Sequence, residues 1–390
     1  MDTTSHRNDT IGCQNQIFFN SAGCSLMPQI ALDTMIEYLE SENITGGYEL
    51  AKQKINENNQ FYNEVSTLLN CTPDNIAFAT SATDAYMKAL SSIDFKKDDV
   101  ILTTADDYIS NQIAFLSLKK RHGIKLIRVN KLQNNELDFE DFENKIKKHH
   151  PKLVAVTHIP TNTGLVQDVV QVGLLCQKYN ILFLLDACQS VGQMNVDVQK
   201  IKCDFLTATG RKFLRGPRGT GFLYVSNKVL KLNLEPLFLD FNGATWKSAN
   251  VYQSVKTAKR FETWEMSHAA MAGFTTSLAY LNNIGIKNIY AYNAKLANYF
   301  RQKLSEIQNL QVMDYGTMLS NIITIRPLFM SLEQIEILLK HNKIYYSVAT
   351  KANAVMDFEA KKIDWTIRFS PHYFNTIEEI DFVVEVLKSI

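Results

Sequence analysis

A chain of 390 residues with 41 basic and 40 acidic side chains, 46% hydrophobic and 21% charged, can bury a large core and divide into two domains. A formal net charge of +1 argues against a polyanion such as nucleic acid as the main partner. No apolar run approaches the roughly 18 residues of a membrane span, and the polar opening MDTTSHRNDTIGCQNQ lacks a signal-peptide core, so a soluble, cytoplasmic protein is expected.

In chain order, NIAFA (75–79) reads as a strand and the segment from Thr83, TDAYMKALSSI, as a helix. VILTT (100–104) leads to a helix through SNQIAFLSLKKRH and then to the strand IKLIRV (124–129). LVAVTHI (153–159), ILFLL (181–185), DFLTAT (204–209) and GFLYVS (221–226) continue the series. Runs apolar on both faces and separated by helical patterns predict an α/β protein with a mostly parallel sheet covered on both sides. Beyond about residue 285 the texture changes. The helical pattern KNIYAYNAKLANYFRQKLSEI precedes the strand NIITIRP (321–327), and WTIRFS (365–370) reads as another strand. Ser331 to Gln334 and Thr376 to Glu379 have the form of capping boxes that open helices. The expected division is an N-terminal arm (1–17), a large domain (18–285) and a smaller α+β domain (286–390) hinged by the long helix. The six cysteines, Cys13, Cys24, Cys71, Cys176, Cys188 and Cys203, show no CxxC pair and no zinc-ligand spacing. They read as reduced, semi-buried thiols, and no metal is expected.

Ligands of an open parallel sheet bind at the carboxyl ends of its strands, which directs attention to Asp186, placed directly after ILFLL. Alone it reads equally as a helix cap or turn acid, but a carboxylate beside a core strand needs a cation or strong donors. The segment TATGRKFLRGPRGTGFLYV (207–225) offers Lys212 between a strand and a glycine-rich turn, flanked by Thr209 and Arg211. It has neither GxxxxGK[ST] nor GxGxxG, and it precedes a strand instead of opening a helix, so it is not a nucleotide loop. Asp186, Gln189 and Lys212 together have the form of a site for pyridoxal 5'-phosphate (PLP). That cofactor needs a lysine amine for a Schiff base and an acid at its pyridine nitrogen.

On these residues the chain resembles the class V aminotransferases of PLP fold type I, which include cysteine desulfurases, isopenicillin N epimerase-like proteins and hercynylcysteine sulfoxide lyases. The resemblance runs from FFNSAGCSLMP (18–28) to RFSPHYFNTIEEID (368–381). It is most specific in DACQSVGQMNVDVQKIKCDFLTATGRKFLRGPRGTGFLYV. It implies the PLP-dependent transferase fold type I, with a mostly parallel seven-stranded sheet between helices and a smaller α+β C-terminal domain. It also implies roles. Lys212 would form the Schiff base and move the α-proton, Asp186 would pair with the pyridine nitrogen, and Gln189 would hydrogen-bond the ring's phenolic oxygen. Tyr108 would stack on the ring; Ala82 and Thr83 would hold the phosphate at a helix N-terminus, with Thr209 and Arg211 as a second phosphate segment. Asn162 would contact the ring oxygen or the substrate, and Arg368 would clamp the substrate carboxylate. Each has a plainer reading beside it: Tyr108 as a core aromatic, Thr83 as a cap, Asn162 as a turn residue. His158 and Arg218 are further residues that could line the site. RFETWEMS (260–267) resembles a loop that crosses to a partner's cofactor, so a homodimer is implied. Trp264 and Glu265 stand where desulfurase-type chains usually offer the phosphate a hydroxyl.

The reaction is narrowed by one absence. Cysteine desulfurases carry a mobile catalytic cysteine in the small domain, whereas 345–373 contains none and no cysteine follows Cys203. Standard desulfuration is therefore disfavoured. A carbon–sulfur β-elimination lyase acting on an amino acid is the expected activity, with transamination and epimerisation as alternatives within the family. Epimerisation would require a second base, for which Tyr108 is a conceivable group. An idle scaffold is the alternative of another class, and a nicotinamide dehydrogenase lacks its glycine fingerprint. In 238–254, Phe241, Trp246 and Tyr252 read either as an aromatic wall or as surface packing.

Overall fold

The computed structural model describes residues 2–390. Its central sheet holds seven strands: β1 (Ile76–Ala79), β2 (Val100–Thr103), β3 (Lys125–Arg128), β4 (Leu153–Thr157), β5 (Leu182–Asp186), β6 (Phe205–Thr209) and β7 (Gly221–Val225), in the order β1-β7-β6-β5-β4-β2-β3. From β6 across to β3 neighbouring strands pair in parallel, while β7 runs antiparallel to both β6 and β1. The reason is local. A parallel return needs a crossover of a dozen or more residues, usually a helix, and the Gly210–Thr220 connection is a compact turn. The sheet is buried on both faces, as apolar runs without alternation require. Phe183 and Leu185 of β5 enter one core and Leu184 the other, following the two-residue period of a strand.

Helices α1 (Gln29–Thr45), α2 (Ile55–Leu69), α3 (Ala82–Ser91), α4 (Ile109–His122), α5 (Phe139–His149), α6 (Val169–Lys178) and α7 (His268–Ile284) surround this sheet. Residues of α2, α5, α6 and α7 fill the core on one face, and those of α3 and α4 the core on the other. The long helix α8 (Ile286–Ser305) then enters a third core with α9 (Leu332–His341) and α11 (Ile377–Leu387); the short α10 (Val355–Lys361) lies between these two in the chain. That core backs an antiparallel sheet of β10 (Leu310–Val312), β11 (Ile323–Pro327), β12 (Ser347–Thr350) and β13 (Trp365–Phe369), in the order β10-β11-β13-β12. An exposed hairpin, β8 (Ala244–Ser248) with β9 (Val251–Ser254), precedes α7. Both capping boxes form, Ser331 with Gln334 and Thr376 with Glu379. Near the N-terminus, Ile17 and Phe18 pair in parallel with Ile344 and Tyr345. Phe19 packs 5.5 Å from the Phe300 ring, so residues 17–19 lie with the C-terminal core.

Candidate active site

The carboxyl ends of β4, β5 and β6, the N-terminus of α3 and the residue preceding α4 converge on one cavity. Its wall includes Ala82, Thr83, Tyr108, Asp186, Gln189, Thr209, Arg211 and Lys212. Sequence reasoning named these eight. It did not single out Ser81, Thr157, Ile159, Thr161 and Cys188, which complete the lining.

Asp186 is the last residue of β5, paired with Thr157 on β4 and Thr207 on β6. Its Oδ1 accepts from the Cys188 backbone nitrogen at 3.0 Å and its Oδ2 from Asn111 Nδ2 at 3.1 Å. Lys212 is buried, with Nζ 5.9 Å from the centre of the Tyr108 ring. Burial pushes its amine below the ordinary lysine value; Arg211 and Arg368 add to that effect and Asp186 opposes it. Gln189 Nε2 donates to the Ala22 carbonyl at 3.1 Å and to Thr161 Oγ1 at 3.2 Å, while its buried Oε1 has no partner.

The N-terminus of α3 is built for an anion. Ser81 caps it, its Oγ accepting from the Asp84 nitrogen at 3.0 Å, and Ala82 and Thr83 of the first turn line the cavity, at the helix end that favours negative charge. Gly221 at the start of β7 permits the approach. A Cβ there would lie 2.9 Å from the Ser81 carbonyl carbon and 3.0 Å from the Ala82 nitrogen. Thr209 Oγ1 donates to the Thr220 carbonyl at 3.3 Å. Arg211 Nη1 donates to the Gly23 carbonyl, which holds the guanidinium against the N-terminal segment.

Arg368, on β13, donates through Nη1 to the Thr161 carbonyl at 2.8 Å and to Thr161 Oγ1 at 2.6 Å. Its Nε is buried without a partner. Burial and the neighbouring Arg211 push its pKa down to about 10, so it stays cationic at neutral pH. Two arginines crowded in this way suit a carboxylate.

Asn162 is placed differently from the sequence expectation. It is not among the residues lining the cavity; its Nδ2 donates to Asp357 Oδ2 at 2.5 Å, and Asp357 pairs with Lys361 at 2.8 Å, both on α10. Thr161, one residue earlier, takes the wall position. His158 points away into a second cavity with Gln167, and Arg218 is exposed in the glycine turn. Trp264 stacks loosely on Phe241, with ring centres 5.1 Å apart, beside Glu262, whose buried carboxylate accepts from the Phe78 nitrogen and the Tyr62 hydroxyl.

The family model described as Aminotransferase class-V matches residues 17–383. The chain belongs to that family. Among relatives of this class-V aminotransferase chain, a protein of Pyrococcus abyssi named a probable cysteine desulfurase is 29% identical, over 98% of this chain and 96% of its own. The apo structure of a cysteine desulfurase from Thermococcus onnurineus matches with a TM-score of 0.91 at 24% identity, covering 99% of this chain and 97% of that one. A cystine C–S lyase in complex with its product cysteine persulfide matches at a TM-score of 0.87 and 20% identity, covering 98% and 99%. The fold is thus the type I fold of PLP enzymes, and the chain is a PLP-dependent enzyme. The site's chemistry fits the cofactor: an amine, a carboxylate and an aromatic face share one wall with hydroxyls at a helix N-terminus.

Proposed function

We propose that this class-V enzyme is a carbon–sulfur lyase that cleaves the Cβ–S bond of an S-substituted cysteine. The observation that carries the reading concerns sulfur. The segment 345–373 has no cysteine, and its helix α10 presents Asp357, paired with Lys361, to Asn162 instead. The cysteine within the cavity wall, Cys188, has its thiol pushed well above the usual range by burial and by Asp186, so it stays protonated and is a poor persulfide acceptor. Sulfur must then leave on the small molecule.

Ala82, Thr83 and Thr209 would hold the cofactor phosphate, with Arg211 behind them; Asp186 would hold the ring nitrogen, Gln189 the ring's phenolic oxygen, Tyr108 one ring face and Lys212 the aldehyde carbon. PLP, when bound, supplies an electron-accepting ring for the pair left at Cα. Arg368 and Thr161 orient the substrate carboxylate. Lys212, whose lowered pKa favours the neutral amine, takes the Cα proton. The Cβ–S bond then breaks with its electron pair on sulfur, and hydrolysis of the released enamine gives pyruvate and ammonia. Cysteine desulfuration is the second reading, supported by the names of relatives such as the Pyrococcus protein, but it requires the missing thiol.

The reading includes a homodimer. Leu237, Phe238, Phe241 and, on the β8–β9 hairpin, Trp246 are exposed, Phe238 at 86% and Trp246 at 79%. Apolar exposure on that scale marks an interaction surface. A cytoplasmic location accords with six cysteines that all stand free.

The cofactor assignment is tested by borohydride reduction of the PLP-loaded protein followed by peptide mass analysis. Phosphopyridoxyl should appear on the Lys212 peptide, and Lys212→Ala should lack both the label and the visible absorption band. Label on another lysine would overturn it.

A further inference from the structure

Behind the cavity wall lies a second buried carboxylate, Asp107, which neither lines the cavity nor forms a salt bridge. It immediately precedes Tyr108 in ADDYISN. Its Oδ1 accepts from the Tyr108 backbone nitrogen at 2.8 Å, from Asn111 Nδ2 at 2.9 Å and from Thr157 Oγ1. Its Oδ2 faces Thr103 Oγ1 at 3.3 Å and Gln112 Nε2 at 3.4 Å. The Asn111 amide nitrogen also donates to Asp186 Oδ2 at 3.1 Å. Its two hydrogens therefore go to two carboxylates, and the amide becomes a strut between them. One anchor thus fixes two walls: directly, the backbone of Tyr108, and through Asn111, the carboxylate of Asp186.

We propose that Asp107 is a positioning residue of the cofactor site, setting through Asn111 and the Tyr108 backbone both the acid at the ring nitrogen and the aromatic face opposite Lys212. This rests on the cofactor placement proposed above. A merely structural acid would need only to satisfy its own lone pairs. Here every donor to Oδ1 belongs to the site: Thr157 and Tyr108 line the cavity, and Asn111 holds Asp186. The titratable and charged groups facing Asp107 are Asp186 on β5, Tyr86 on α3 and Arg128 on β3, the last reaching it through Gln112, whose Oε1 accepts from Arg128 at 2.8 Å. Burial, with Asp186 adding, pushes Asp107 up to about 6, against the pull of Thr157, Asn111 and the Tyr108 amide. Above that pH it is an anion behind the Asp186 carboxylate, and its charge favours a proton on the bound ring system.

The test is titration of apoprotein with PLP, with Asp107→Asn, Asn111→Leu and the double variant beside the wild type. The expected result for Asp107→Asn is PLP affinity weaker by about tenfold, the size of one hydrogen bond to a charged group. The pH midpoint of the visible band should fall by roughly half a unit, because an anion near the protonated form is lost. The double variant should be little worse than the worse single one, because both act through the same strut. If Asp107→Asn keeps wild-type affinity and midpoint, the positioning role is overturned, and a lowered melting temperature alone counts as that outcome. Additive losses in the double variant overturn the route through Asn111. Failure of the wild type itself to form the band would instead reject the cofactor placement.

Discussion

Arg368 is the single residue on which the proposed substrate recognition turns. It reaches the site from β13, in the C-terminal sheet, yet its guanidinium is tied to Thr161, in the turn after β4, by two hydrogen bonds from one nitrogen. The unpartnered Nε is a donor held in reserve, since an unsatisfied buried donor costs about 1–3 kcal/mol. A substrate carboxylate would satisfy it. Lysine has a point charge and no planar fork. Arg368→Lys should therefore raise KM for the amino acid by about tenfold or more, the weight of a charged hydrogen bond, with a smaller effect on kcat. An unchanged KM in steady-state kinetics would remove Arg368 from the carboxylate site. Lys212 is the complementary case. Its amine is shifted downward mainly because it is buried, so a larger fraction is neutral at neutral pH than for an exposed lysine.

At the scale of elements, the sheet was largely legible because β4, β5 and β6 announce themselves as uninterrupted apolar runs. The antiparallel direction of β7 was not read from the sequence, although the glycine turn before it leaves no room for a crossover helix. The strut Asp107–Asn111 could not be read, because its partner Asp186 stands far along the chain and only strand order brings the two together. That Asn162 lies off the cavity wall was illegible for a similar reason: PTNTG reads as a turn, and its partner Asp357 is contributed by α10, far along the chain. The β8–β9 hairpin was equally opaque. Its alternating residues fit a two-residue period, but exposure on both faces is visible only in three dimensions. Trp246→Lys, a surface change that leaves the cores untouched, should shift the protein toward monomer in sedimentation velocity. A monomeric wild type, or a variant that remains fully dimeric, would detach the hairpin from any interface.

For the whole molecule, the site draws on both sheets. The large sheet supplies Asp186, the turn between β6 and β7 supplies Lys212, the C-terminal sheet supplies Arg368, and α10 reaches across to Asn162. The N-terminal segment takes part through Gly23 and Ala22, which hold Arg211 and Gln189. Among the described residues no helix is long and apolar enough to cross a membrane. Family membership and the cofactor were accessible from sequence because the segment from Asp186 through Gln189 to Lys212 resembles that of the class V aminotransferases residue by residue. The proposed fate of the substrate's sulfur rests on an absence in the sequence, the missing thiol in 345–373, a segment that carries the Asp357–Lys361 pair.

The most direct measurement is product analysis after PLP-loaded enzyme meets L-cystine, with pyruvate and alanine quantified in the same reaction. A lyase of the kind proposed yields pyruvate and ammonia in equal amounts with a persulfide on the departing cysteine, no alanine, and no sulfur bound to the protein. Alanine as the main product of a parallel reaction with L-cysteine, with its sulfur left as a persulfide on a protein cysteine, would contradict the account and return the chain to the desulfurases.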